Sequence, residues 1–221
     1  MKSMTAGQLT QIYNLAKRQG CDQDSIQFLL ESGFFADFLA VKWKGVNRTD
    51  FRHLGRLAPE DFRLTPTFRT IKLGTGLKTA DDFRDALKKD GYRIGNWAND
   101  IIGKPAFTAS ETETEVDLVV LTVAELGFKD GATRKDIYDR ALERGLELCP
   151  SEVGPQLRLQ YKDQPKGEWL VIAMEPITFA DGDLYVFLVA YDRDEQWLRA
   201  YYGDPAHVWY AGNRFVFVRR K

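Results

Sequence analysis

Ser110-Glu111-Thr112-Glu113-Thr114-Glu115-Val116-Asp117-Leu118-Val119-Val120-Leu121-Thr122-Val123-Ala124-Glu125-Leu126-Gly127 is the stretch on which the fold of this chain turns. As a helix it opens on a capping box, Ser110 with Glu113, and stops at Gly127. As a strand it uses its β-branched valines, whose stiff χ1 suits a pleated surface better than a helical turn. The start and stop signals favour the helix, so residues 111–126 are predicted helical.

Downstream, Thr133 with Asp136 opens a second helix through Ile137, Tyr138, Ala141 and Leu142, closed by Gly145. Residues 150–161 carry two periodicities. Val153, Leu157 and Tyr161 share a helical face, with Pro155 in the first turn if Ser151 is the N-cap. Leu157, Leu159 and Tyr161 also alternate with polar residues as a strand would. The reading leans to helix, with strand open. After Gly167 come four strands, 169–175, 184–191, 196–202 and 214–218. Asp181-Gly182-Asp183, Asp192-Arg193-Asp194 and Gly203-Asp204-Pro205 supply the turns of an antiparallel meander. Trp169 and Phe187 are expected in its core. In 196–202, Leu198 and Ala200 alternate with Trp197, Arg199 and Tyr201, which marks an edge or half-exposed strand. Three helices followed by two strands match a winged helix-turn-helix. The third helix would be the reader, with Glu152, Gln156, Arg158, Gln160 and Lys162 facing outward.

Upstream, 68–73 alternates as a strand before the Gly74-Thr75-Gly76 turn. Thr79 with Asp82 caps a helix ending at Gly91, and Ile94, Trp97, Ala98, Ile101 and Ile102 repeat helical spacing. Residues 1–44 read as an N-terminal helical unit of three short helices, and 45–67 as an Arg-rich connection with a helical turn at 59–62. The predicted class is α+β: that helical unit, then a core domain over 68–221 in which helices pack on a C-terminal antiparallel meander.

Ile71-Lys72-Leu73-Gly74-Thr75-Gly76-Leu77, the stretch from Trp97 through Asn99 and Asp100 to Pro105, Gly154-Pro155-Gln156-Leu157-Arg158-Leu159-Gln160-Tyr161, Met174-Glu175-Pro176-Ile177 and Phe215-Val216-Phe217-Val218 together resemble an uncharacterised bacterial protein family from about residue 70 to 221. The resemblance implies a cytoplasmic bacterial protein whose core begins near residue 68. It implies no activity, cofactor or catalytic residue.

The chemistry available is narrow. The chain has 221 residues, 44% of them hydrophobic, with a net charge of -1, two cysteines and two histidines. A disulfide framework and a Cys/His metal cluster therefore lack members. Residues 1–7 carry one Lys and no apolar run, which predicts no secretory signal and a cytoplasmic address. The longest dense apolar run, 116–126, is far short of the ~20 residues of a membrane span. Nothing in the pattern calls for a cofactor, no metal ligands are assigned, and a metal held by carboxylates alone stays open. Carboxylates and histidine leave Glu175, Asp204 and His207 as the acid/base candidates, the last two beside Tyr201, Tyr202 and Trp209. The Gly74-Thr75-Gly76 loop lacks the third glycine and the lysine of a phosphate cradle.

Neutrality is a cancellation. Residues 1–72 hold 11 basic and 7 acidic residues, whereas 111–166 hold 8 and 12. In the basic part Arg48, Arg52, Arg56, Arg63 and Arg69 are interleaved with Trp43 and Phe51, the mixture that phosphate contact and base stacking use. The acidic 111–166 segment is wrong for gripping DNA. The leading expectation is a non-enzymatic binding or interaction protein that contacts a protein partner, or nucleic acid through its basic N-terminal part. The alternative is a small hydrolase or transferase using carboxylates and His207.

Overall fold

Residues 110–127 form a strand and a turn, not a helix. In the computed structural model, which describes residues 65–179 and 182–220, β3 (Thr114–Thr122) lies between β1 (Arg69–Leu73) and β11 (Arg214–Arg219), antiparallel to both. Strands on either side and helices on the faces leave Leu118 and Val119 fully buried, the setting that β-branched residues suit. The expected cap residues are engaged elsewhere. Ser110 N–H donates to Glu152, and Glu113 pairs with Lys72 at 2.8 Å. The working capping box is Thr122 with Glu125: Thr122 N–H donates to Glu125 Oε2 at 2.7 Å, and Glu125 N–H to Thr122 Oγ1 at 3.1 Å. It opens a single turn that Gly127 closes at φ +100°. Of the two helical signals, only the Gly127 stop belongs to this turn.

The sheet is mixed and curls into a half-barrel of nine strands. Its order is β1, β3, β11, β6 (Trp169–Ile172), β8 (Leu184–Asp192), β9 (Glu195–Tyr202), β2 (Arg93–Ile94). β5 (Leu146–Glu147) adds to β11, and β7 (Ile177–Thr178) to β8. β6, β8 and β9 form the expected antiparallel run, but β11 leaves it. It pairs in parallel with β6 on the far side, so the chain from 203 to 213 must cross over the sheet. On the way, β10 (Val208–Trp209) pairs with β4 (Ala132–Thr133) as a separate ribbon. This sheet replaces both the predicted helices-on-meander fold and the winged helix: the first of the three helices is a strand.

Among the described residues, four short helices cover it. α1 (Ala80–Lys89) starts at the Thr79–Asp82 capping box and buries Phe83 and Leu87; α2 (Asn96–Ile101) buries Ala98 and Ile101. α3 (Arg134–Glu143) starts at Thr133 and buries Ile137, Tyr138 and Ala141. α4 (Val153–Gln160) resolves the ambiguity of 150–161 in favour of helix. It packs so closely that a Cβ on Gly154 would lie 2.7 Å from the Phe187 side chain. Phe187 also meets Phe107, which meets Phe83, so α1, α2 and α4 share one face of the sheet. α3 lies on the other, where Tyr138 packs edge-on against Phe215 and Phe217.

α4 is no reader helix. Of its predicted outward residues, Glu152, Gln156 and Arg158 are buried. The Arg158 guanidinium donates to Gln164 Oε1 and the Tyr161 carbonyl and lies 4.7 Å from the Tyr92 ring centre. Gln160 accepts from Lys72 N–H at 2.9 Å and donates to Lys72 C=O at 2.8 Å, closing the open edge of β1 with a side-chain amide. Phe187 is core as expected. Trp169 is not: at the start of β6 it projects from the other face and is 43% exposed.

The predicted N-terminal helical unit, nearly all of the 45–67 connection, and Trp43, Arg48, Phe51, Arg52, Arg56 and Arg63 lie outside the described residues, as does part of the Asp181-Gly182-Asp183 turn. No helix among the described residues is long and apolar enough to cross a membrane.

Candidate functional site

Register decides which side chains share the uncovered face. Val171, Leu188 and Arg199 stand in one row across β6, β8 and β9; Trp169, Ala190 and Trp197 stand in the next. α3 and the β4–β10 ribbon cover this face over β11 but stop short of these rows. The result is a cleft of about 640 Å³ with Val171 and Leu188 as floor. One wall is Pro165 to Trp169 with Gly212 to Arg214; the other is Tyr201 with the crossover residues His207 to Tyr210. A second hollow of about 430 Å³ shares Trp169, Leu188 and Tyr201 with the first and continues past Arg199 to Gly95, Asn96 and Trp97. The two form one groove.

The crossover wall is held by its backbone. Arg134 N–H donates to the His207 carbonyl at 2.9 Å and Lys135 N–H to the Pro205 carbonyl at 3.1 Å, so the free amides at the start of α3 are spent on this loop. A Cβ on Gly131, at φ +94°, would meet the Trp209 carbonyl at 2.6 Å, which is why glycine stands where β4 meets β10. Asn213 Oδ1 accepts Tyr210 N–H at 2.7 Å, and the Asn213 carbonyl accepts Val123 N–H at 3.0 Å. The Thr122–Gly127 turn thus braces the rim that presents Tyr210.

Rings dominate the lining. His207 lies 5.7 Å from Tyr201, 5.6 Å from Tyr202 and 5.0 Å from Trp209, and Trp209 packs on Phe215 at 5.0 Å. Trp169, Trp97 and Tyr210 leave large exposed faces in the lining, while Tyr202 stacks on Tyr185 on the other side of β9. Trp209 is only 4% exposed, and its indole Nε1–H has no acceptor among the described residues. Each cation beside the groove has a carboxylate. Arg214 pairs with Glu168, Lys166 with Asp194 at 2.6 Å, and Arg199 with Asp192 at 3.2 Å while lying over the Trp197 and Trp169 rings. Behind the wall, burial first and the Glu168 carboxylate second raise the Tyr161 hydroxyl above its usual range.

The sequence candidates separate. Only His207 lines the cleft. Glu175 is exposed beyond the end of β6, and Asp204 Oδ1 accepts Ala206 N–H at 2.7 Å within its own turn. No side-chain hydrogen bond or ion pair joins any two of the three among the described residues. Of the predicted group of Asp204 and His207 with Tyr201, Tyr202 and Trp209, the rings come together around His207. Of the basic set only Arg69 is described; it pairs with Asp163 at 2.7 Å and stacks on Tyr161 at 4.6 Å. The Gly74 loop binds an internal anion: Gly74 N–H and Ser110 N–H both donate to buried Glu152, at 2.9 and 2.7 Å. Among the described residues no group of three or more His, Cys, Asp or Glu side chains is placed to hold a metal ion. Cys149 is buried, and its burial pushes the thiol well above the usual range.

Sequence reasoning missed Trp169, Glu168, Arg199 and Arg214 as site residues. The alternation of Trp197, Arg199 and Tyr201 carried the signal, since three large polar-tipped side chains on one face of a strand mark a face that the core does not use. Compared with models of protein families, with curated proteins and with solved structures, the chain matches none.

Proposed function

We propose that this is a binding protein whose ligand lies in the groove over β6, β8 and β9. One observation carries the reading: a hollow of about 640 Å³ is floored by aliphatic side chains and walled by partly exposed aromatic rings on rigidly braced backbone. Concave, mostly apolar surfaces with a few fixed polar groups are the usual form of a ligand site, and exposed aromatic clusters are uncommon without a partner. Among the described residues the groove presents one histidine and paired charges, with no nucleophile and base in hydrogen-bond contact. Binding is therefore favoured over catalysis.

The indole N–H signals of the full chain test this by NMR. The sequence has 5 tryptophans, of which Trp169 and Trp209 line the main cleft and Trp97 its continuation. Titration with pooled saccharides, peptides and nucleotides is expected to move the Trp169 and Trp209 signals together. Ligand-induced shifts confined to residues away from the groove would overturn the reading.

A further inference from the structure

We infer that the groove takes a neutral carbohydrate chain, an inference that rests on the groove being a binding site. Charge is the first discriminator. An anionic ligand would have to displace Glu168 from Arg214, Asp194 from Lys166 or Asp192 from Arg199. A cationic ligand meets a Glu168 side chain only 8% exposed and already paired. Neither sign finds an uncompensated partner in the walls, so the favoured ligand carries no charge.

Shape is the second. The two hollows share Trp169, Leu188 and Tyr201 and run on from Tyr210 and Asn213 to Gly95 and Trp97. A groove of several successive ring faces suits a chain more than a compact small molecule. The third is the mixture of surfaces. Sugar rings have apolar C–H faces and hydroxyl edges, each hydroxyl both donor and acceptor. Here the exposed ring of Trp169 stands beside planar guanidinium–carboxylate pairs. A proline-rich peptide would cover the rings too, but its backbone offers mainly carbonyl acceptors and would leave the carboxylate oxygens of the wall unmatched.

Native electrophoresis of the full chain in gels cast with hydroxyethylcellulose, laminarin or dextran tests the inference, beside anisotropy titrations with an oligoproline peptide and with oligothymidylate. At least one neutral polysaccharide is expected to retard the chain equally at low and high salt, and Trp169→Ala to weaken that retardation by about tenfold or more with little change in melting. Retardation by none of the three overturns the carbohydrate assignment. If oligoproline or oligothymidylate binds instead and Trp169→Ala abolishes it, the ligand class is wrong and the groove reading stands. If no probe responds to Trp169→Ala, both fall.

Discussion

Glu152 is fully buried, a costly place for a carboxylate unless its oxygens are matched. They are matched by Gly74 N–H, Ser110 N–H and the Gln156 amide. The residue therefore ties the β1 turn, the segment before β3 and the start of α4 to one point. Gly74 takes part because a Cβ there would lie 2.2 Å from the Thr112 carbonyl. Replacing the acid leaves two backbone donors without an acceptor. Glu152→Ala is expected to cost about 3 kcal/mol in urea denaturation, and Glu152→Gln less, since one amide oxygen remains to accept. An unchanged midpoint for the alanine variant would remove this role.

β3 carries the main lesson about what a sequence discloses. Helices whose signals are local were legible: Thr79 with Asp82 and Thr133 with Asp136 cap the helices they were read to cap. The 110–127 segment was not, because its valines answer to β1 and β11, which are distant in the chain, while Thr122, Glu125 and Gly127 advertise a helix only one turn long. The parallel pairing of β11 with β6 was hidden for the same reason: turn residues mark where strands end but not which strand lies alongside. That misplacement also hid the groove, since the crossover forms one of its walls. As a central strand, β3 has a definite signature. Val119→Ala is expected to cost about 2 kcal/mol, and the amides of 116–121 to exchange with solvent only on global unfolding. Fast exchange there, as in a fraying segment, would contradict the assignment.

At the scale of the whole described unit, one face of the half-barrel is sealed by three helices and the other only in part by α3 and the β4–β10 ribbon. Phe187 and Trp169 sit on opposite sides of this division. Phe187 is fully buried beneath α4, whereas Trp169 stands in the groove with the Arg199 guanidinium 5.6 Å from its ring centre. Reading both as core from the sequence was natural, because an apolar strand does not reveal which of its faces meets solvent. The central claim is that the β6–β8–β9 face is a ligand surface and not part of the core. Thermal denaturation of Trp169→Ala beside Phe187→Ala tests it most directly. Phe187→Ala is expected to cost about 3 kcal/mol or more, and Trp169→Ala no more than about 1 kcal/mol, the worth of an exposed guanidinium–indole contact. An equal loss in both variants would place Trp169 in the core and contradict the account.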